Sequence, residues 1–140
     1  MNTIECLFIS TLVLSFFITP NNCLSFDPYY VHITSQLSHG KTLLLHCQSK
    51  DNDLHVQYLK PNATFSWHFK LNVFESTLFW CYMAPDDHHH ADFKVFYVNS
   101  RFLQKCNSNN EFFWIIKDEG AYVKNIPKGI DDFQHEWESN

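Results

Sequence analysis

Glycine is scarce: three residues in a chain of 140, with five prolines. A phosphate-cradling loop needs several closely spaced glycines, so nucleotide chemistry of that type is excluded. There is no Gly-x-Ser-x-Gly, no His-Glu-x-x-His and no paired Cys-x-x-Cys spacing, which removes the common signatures of serine hydrolases, zinc proteases and zinc ribbons. Positive charge is also short. Ten Lys and Arg stand against fifteen Asp and Glu, a formal net charge of -5, whereas nucleic-acid binding calls for a basic patch. Apolar residues recur at helical spacing nowhere over a useful length, and no apolar run reaches the roughly twenty residues that span a bilayer.

What is present begins with an apolar block of twelve residues, Leu7 to Ile18. It is too short for a membrane crossing. Pro20-Asn-Asn-Cys-Leu-Ser25 follows, with small side chains at Cys23 and Ser25 that suit signal-peptide cleavage after Ser25. The reading is a signal peptide over residues 1–25 and an exported domain over 26–140, although the segment ahead of the block carries Glu5 and no cation. Removal of 25 residues from 140 leaves 115, enough for one domain and too few for two. All nine histidines remain. With ordinary pKa values near 6.5, they are expected to turn the net charge positive by roughly pH 5.5.

The cut removes Cys6 and Cys23 and leaves Cys47, Cys81 and Cys106. An oxidising export route favours pairing, and an odd count leaves one thiol over. Three single bridges are possible. Cys47–Cys81 is favoured, because Thr42–Cys47 and Ser76–Cys81 are strongly apolar segments that should face a shared core. Cys106 is then the unpaired thiol, and a dimer through it is the alternative to a monomer.

The body of the chain divides into short strands. Thr64–Leu71 alternates most cleanly, with Phe65, Trp67, Phe69 and Leu71 on one side and Ser66, His68 and Lys70 on the other. Tyr30–Leu37, Lys41–Cys47, Leu54–Leu59, Thr77–Met83, Asp92–Val98, Phe112–Lys117 and Gly120–Lys124 complete the set. About seven to eight such strands with frequent turns argue for an all-β domain, a small antiparallel β-sandwich. Fourteen phenylalanines and four tryptophans provide core bulk.

Candidate chemistry is sparse. Asn62-Ala-Thr64 is the sole glycosylation sequon, placed after Pro61 at an expected hairpin tip. His88-His89-His90, between Asp86, Asp87 and Asp92, invites a metal reading, but in an extended chain only His88 and His90 point the same way. A solvated loop is the simpler account. The acidic residues Asp51, Asp53, Asp86, Asp87, Asp118, Glu119, Asp131 and Asp132 fall in turns or the tail, and their spacing places no pair across a cleft as a glycosidase requires. No catalytic residue, metal ligand or cofactor is assigned, and the protein is read as no enzyme.

Several motifs occur in a fixed order: Val31-His-Ile-Thr-Ser-Gln-Leu37, Leu45-His-Cys47, Ser49-Lys-Asp-Asn-Asp-Leu54, Trp67-x-Phe69, Asn72-x-Phe74 and Thr77-Leu-Phe-Trp-Cys81. Phe93-x-Val-Phe96, Cys106, Trp114, Gly120-Ala-Tyr122, Asn125-Ile-Pro127 and an acidic, aromatic tail over Asp131–Glu138 follow. This ordered set resembles the plant self-incompatibility S1 family, the S-protein homologues, over essentially the whole exported part. The resemblance implies a compact secreted β-sandwich without catalytic activity. It implies an extracellular location and a recognition role, as for the stigma-side ligands of poppy that a pollen receptor perceives. The partner implied is a cell-surface receptor protein, with neither nucleic acid nor membrane insertion. Exposed loops carry recognition in those ligands. The corresponding candidates here are Lys50, Asp51 and Asp53 in the loop Gln48–Asp53, and Asp86, Asp87, His88, His89 and His90 in the loop Pro85–Ala91.

Departures from the family pattern are informative. The family carries four cysteines, the last in Cys-x-Trp, where this chain reads Phe112-Phe113-Trp114. That loss implies an orphaned Cys106 and a looser segment at Gln104–Glu111. Ser35 stands for the usual Asn, and His55 for the usual Gly. A second reading is a carbohydrate-binding β-sandwich acting on cell-wall glycans, which requires exposed aromatic side chains; three or more coplanar ones on one sheet face would put it first. Tyr29 and Trp137 are the only large aromatics outside the expected strands, so this reading ranks second.

Overall fold

The computed structural model describes residues 27–72, 74 and 76–140. The expected signal peptide and its cleavage site lie outside them. Ten strands form two five-stranded sheets, ordered β4-β1-β7-β8-β9 and β10-β6-β5-β2-β3. In chain order they are β1 (Tyr29–Ser35), β2 (Leu43–Gln48), β3 (Asp53–Leu59), β4 (Thr64–Phe69), β5 (Leu78–Asp86), β6 (His89–Tyr97), β7 (Glu111–Lys117), β8 (Gly120–Asn125), β9 (Ile130–Glu136) and β10 (Glu138–Ser139). A single helical turn, α1 (Ser100–Leu103), sits between β6 and β7. The expected all-β sandwich is present, with one parallel pair, β1 against β7, in otherwise antiparallel ladders.

The core lies between the sheets. Alternate residues of β1, β2 and β5 (Tyr29, Val31, Ile33; Leu43, Leu45, Cys47; Phe79, Cys81, Met83) are buried and their neighbours face out, the period of two that a half-buried strand imposes. Phe65, Trp67 and Phe69 pack on this core as the alternation of Thr64–Leu71 predicts. Phe96 sits among Tyr29, Phe69, Phe102 and Phe112 with ring centroids 4.6 to 5.9 Å away. The Trp114 indole donates 2.9 Å to the Val95 carbonyl, a buried bond from one sheet to the other. Phe102 carries α1 into the same cluster, 4.7 Å from Phe112, while Asn99 caps the turn by accepting from the amides of Arg101 and Phe102.

Four expectations need correction here. The tail is not a tail: Ile130–Glu136 pairs with β8, and Glu138–Ser139 pairs with β6 at His89 and His90. Its apolar residues Ile130 and Phe133 remain exposed, so no alternation betrays the strand. Tyr29 lies inside β1, fully buried, and Trp137 is half-buried with its indole donating 3.2 Å to the Lys117 carbonyl. Neither is an exposed platform residue. The expected loop Pro85–Ala91 is nearly all strand, because Asp86 pairs with His89 and only Asp87 and His88 form the turn. Finally, Lys60–Ala63 is not a hairpin tip. It carries the chain from β3 in one sheet to β4 in the other, with exposed Asn62 at φ 70°.

Candidate functional site

The disulfide expected between Cys47 and Cys81 is present and joins residues directly opposite each other on adjacent strands β2 and β5. It ties two strands within one sheet and does not bridge the sandwich. Cys106, expected as a free thiol, is itself disulfide-bonded. The segment before β7 is well tied: the Asn107 side chain accepts from the amides of Asn109 and Glu111 and donates to the Glu111 carboxylate.

The two candidate recognition loops do not meet. Leu44 lies opposite Ala84, and Gln48 opposite Trp80. The β2–β3 turn with Lys50, Asp51 and Asp53 therefore stands at one end of its sheet, and the β5–β6 turn with Asp86–His89 at the other. A six-residue strand at about 3.4 Å per residue separates them by ~20 Å. Each turn holds a carboxylate in place. Asp53 accepts from His46 at 2.7 Å and from the His55 amide at 2.8 Å, and these bonds hold its carboxyl below the usual range. His55, where the family usually has Gly, adopts φ 64° to make that contact. Asp86 accepts from the His88 amide and from His89, both at 2.8 Å, with the same effect on its pKa.

The histidine triplet is committed differently from a ligand set. His89 faces Asp86, while His90 stacks on Tyr82 and contacts Glu138 and Asn140 of the C-terminus. Among the described residues no three His, Cys, Asp or Glu side chains converge to hold a metal ion.

Between the two turns lies the outer face of β3-β2-β5. Leu44 pairs with Tyr58 and Ala84, and His46 with Val56 and Tyr82. Tyr58 is 69% exposed, Val56 45% and Tyr82 38%. This apolar strip was not foreseen, because the outward positions of a strand are usually polar. The signal was available in the Leu43–Leu45 run and in the Val56-x-Tyr58 alternation. Trp80 on the same face is half-buried, so two exposed aromatics share it, one fewer than would put the carbohydrate reading first.

The opposite outer face holds an arrangement that looks catalytic. Ser66 Oγ lies 2.6 Å from His32 Nδ1, and Glu111 Oε1 lies 3.1 Å from His32 Nε2. The Glu111 carboxyl is held low, first by Asn107 and then by His32. A hydrolase also requires donors aimed at a developing oxyanion. Backbone N–H groups here lie in the plane of the sheet, with β1 paired on both edges. What the contacts do is orient the imidazole, which stacks on Phe113 with centroids 4.8 Å apart. The rings on this face thus turn towards one another.

Comparison with known proteins accords with this scaffold. The profile of "Plant self-incompatibility protein S1" matches residues 30–137. The chain is 40% identical over 111 residues to S-protein homolog 74 of Arabidopsis thaliana, covering 79% of this chain and 72% of that protein. It is 28% identical over 116 residues to self-incompatibility protein S1 of Papaver rhoeas, covering 83% and 81%. The solved structure of a self-incompatibility protein homologue (SPH), one of "a widespread family of small, highly stable, secreted proteins from plants", aligns with TM-score 0.58 at 17% identity, over 83% of this chain and 99% of that one. The chain therefore belongs to the plant self-incompatibility protein S1 family of small secreted proteins.

Proposed function

We propose that the protein is a non-enzymatic extracellular ligand, recognised by a cell-surface receptor through the outer face of β3-β2-β5 and the two turns that bound it. The observation that carries this reading is the exposed strip Tyr58, Val56, Leu44 and Tyr82, bounded at each end by a carboxylate fixed in its charged form, Asp53 and Asp86. An apolar centre with a polar rim is the pattern of a protein-binding surface. The receptor that fits it is apolar at its centre and cationic at points ~20 Å apart. The role in self-pollen rejection, or in related cell–cell signalling, belongs to this same reading.

The test uses fluorescently labelled secreted protein on plant plasma-membrane vesicles. Binding is expected to saturate, to be lost after protease treatment of the vesicles and to weaken at least tenfold in Tyr58→Ser/Tyr82→Ser. Non-saturable binding, or a double variant that binds like the parent, refutes the proposal.

A further inference from the structure

The chain is acidic overall, yet three of its ten cationic side chains, including its only arginine, converge on one cleft. The cleft, about 530 Å³, lies between α1 and the β8–β9 turn and is lined by Arg101, Gln104, Lys105, Asn125, Lys128 and Asp132 together with Pro127. The Ile126 amide donates 3.1 Å to the Lys105 carbonyl and ties the two walls together. Within it, Lys105 donates 2.9 Å to Asp132, which also accepts from Asn125 at 3.4 Å. Lys105 holds the Asp132 carboxyl below the usual range, and the charge of Lys128 adds to the effect.

Only one of the three cations is neutralised. Lys105 has Asp132, whereas Arg101 and Lys128 make no ion pair among the described residues. Arg101 is exposed because buried Phe102 and Leu103 anchor α1 and turn the preceding side chain outwards. Two cations without an ion pair line the cleft beside the Lys105–Asp132 pair, and this balance of charge suits an anion. The cleft is large for an inorganic ion and within the range of organic ligand sites. The Gln104 amide offers a donor and an acceptor, and Asn125, which donates to Asp132 and accepts from the Lys128 amide, keeps a second N–H and a second lone pair, groups that hydroxyls use and a bare oxyanion does not.

We propose that this cleft binds an acidic saccharide, with a uronate carboxylate held by Arg101 and Lys128 and ring hydroxyls met by Gln104 and Asn125. A planar guanidinium takes a carboxylate in two parallel hydrogen bonds, which gives orientation as well as charge. The site is separate from the outer face of β3-β2-β5 and stands whether or not that face docks a receptor.

The test is calorimetric titration of the intact secreted protein with oligogalacturonate, with a neutral galactan oligomer of equal length and with inorganic phosphate. Oligogalacturonate is expected to bind saturably and to weaken as salt screens the exposed charges. Arg101→Gln and Lys128→Gln are each expected to weaken it about tenfold, as loss of one charge-assisted contact implies. Both positions are exposed, so an unchanged thermal midpoint checks the fold. Equal binding of the neutral oligomer overturns the charge assignment. Full displacement by equimolar phosphate overturns the saccharide assignment. Absence of oligogalacturonate binding, or unaltered affinity in both variants, overturns the site.

Discussion

Gly120 opens β8 at φ +147°, and a Cβ built there stands 2.0 Å from the carbonyl oxygen of His135 on β9. Substitution by Ala therefore carries two penalties. The first is the unfavourable backbone conformation, about 1–2 kcal/mol for a residue with a side chain. The second is steric. The obstructing atom is backbone and cannot swing aside, so β9 has to shift by more than an ångström. Its pairing at Gly120 with Glu136 and at Ala121 with His135 then loosens. Overpacking of this kind costs about 1–3 kcal/mol. Together they amount to about 3 kcal/mol, or ~10 °C in Tm for a domain of this size. Gly40 and Gly129 supply the internal control. Their φ values are 66° and 65°, with nothing within 4 Å of an added Cβ. Ala at either position meets the conformational term alone, partly offset by a stiffer unfolded chain, and is expected to cost about 0.5–1 kcal/mol. Urea unfolding of the three variants gives the comparison. A Gly120→Ala variant within 0.5 kcal/mol of Gly129→Ala refutes the close approach of β9 to β8.

Replacing Cys47 and Cys81 together by Ala is expected to lower stability by about 2–4 kcal/mol in urea titration, because the bridge closes a loop with a sequence separation of 34. Alkylation of the secreted protein without reduction should leave Cys106 unmodified, since it is disulfide-bonded; an alkylated Cys106 peptide in mass mapping would contradict it. Asp53, Asp86, Glu111, Asp118 and Asp132 are all held below their ordinary pKa values. Their depressed folded-state pKa means that their contribution is complete above the ordinary carboxylate range and is lost as pH falls through the folded values. Tm should thus drop below about pH 4, and an acid-independent Tm would contradict it. Enzymatic deglycosylation should reduce the mass of the secreted protein by one N-glycan, and Asn62→Gln should remove that difference, as exposed Asn62 predicts.

Which strands exist, and which face of each is buried, was largely written in the local pattern. Phe65, Trp67 and Phe69 alternate with polar neighbours, and a period of two leaves one way to bury them. The ordered motifs named the family, and the two cysteines on apolar segments favoured one of three possible bridges, which the structure contains. Whatever depends on pairing between distant segments was not legible. The strand Ile130–Glu136 has exposed apolar positions and is a strand because β8 offers it a ladder. The parallel register of β1 with β7 follows from how the chain crosses between two sheets. The apolar strip needs three strands side by side before Leu44, Tyr58 and Tyr82 become one surface. Arg101 and Lys128 are unremarkable in the sequence and become a charged cleft only where α1 meets the β8–β9 turn. Local alternation sets the face a residue takes, because that depends on its own strand alone. Neighbours across strands are set by backbone hydrogen bonding, which one strand's sequence does not encode.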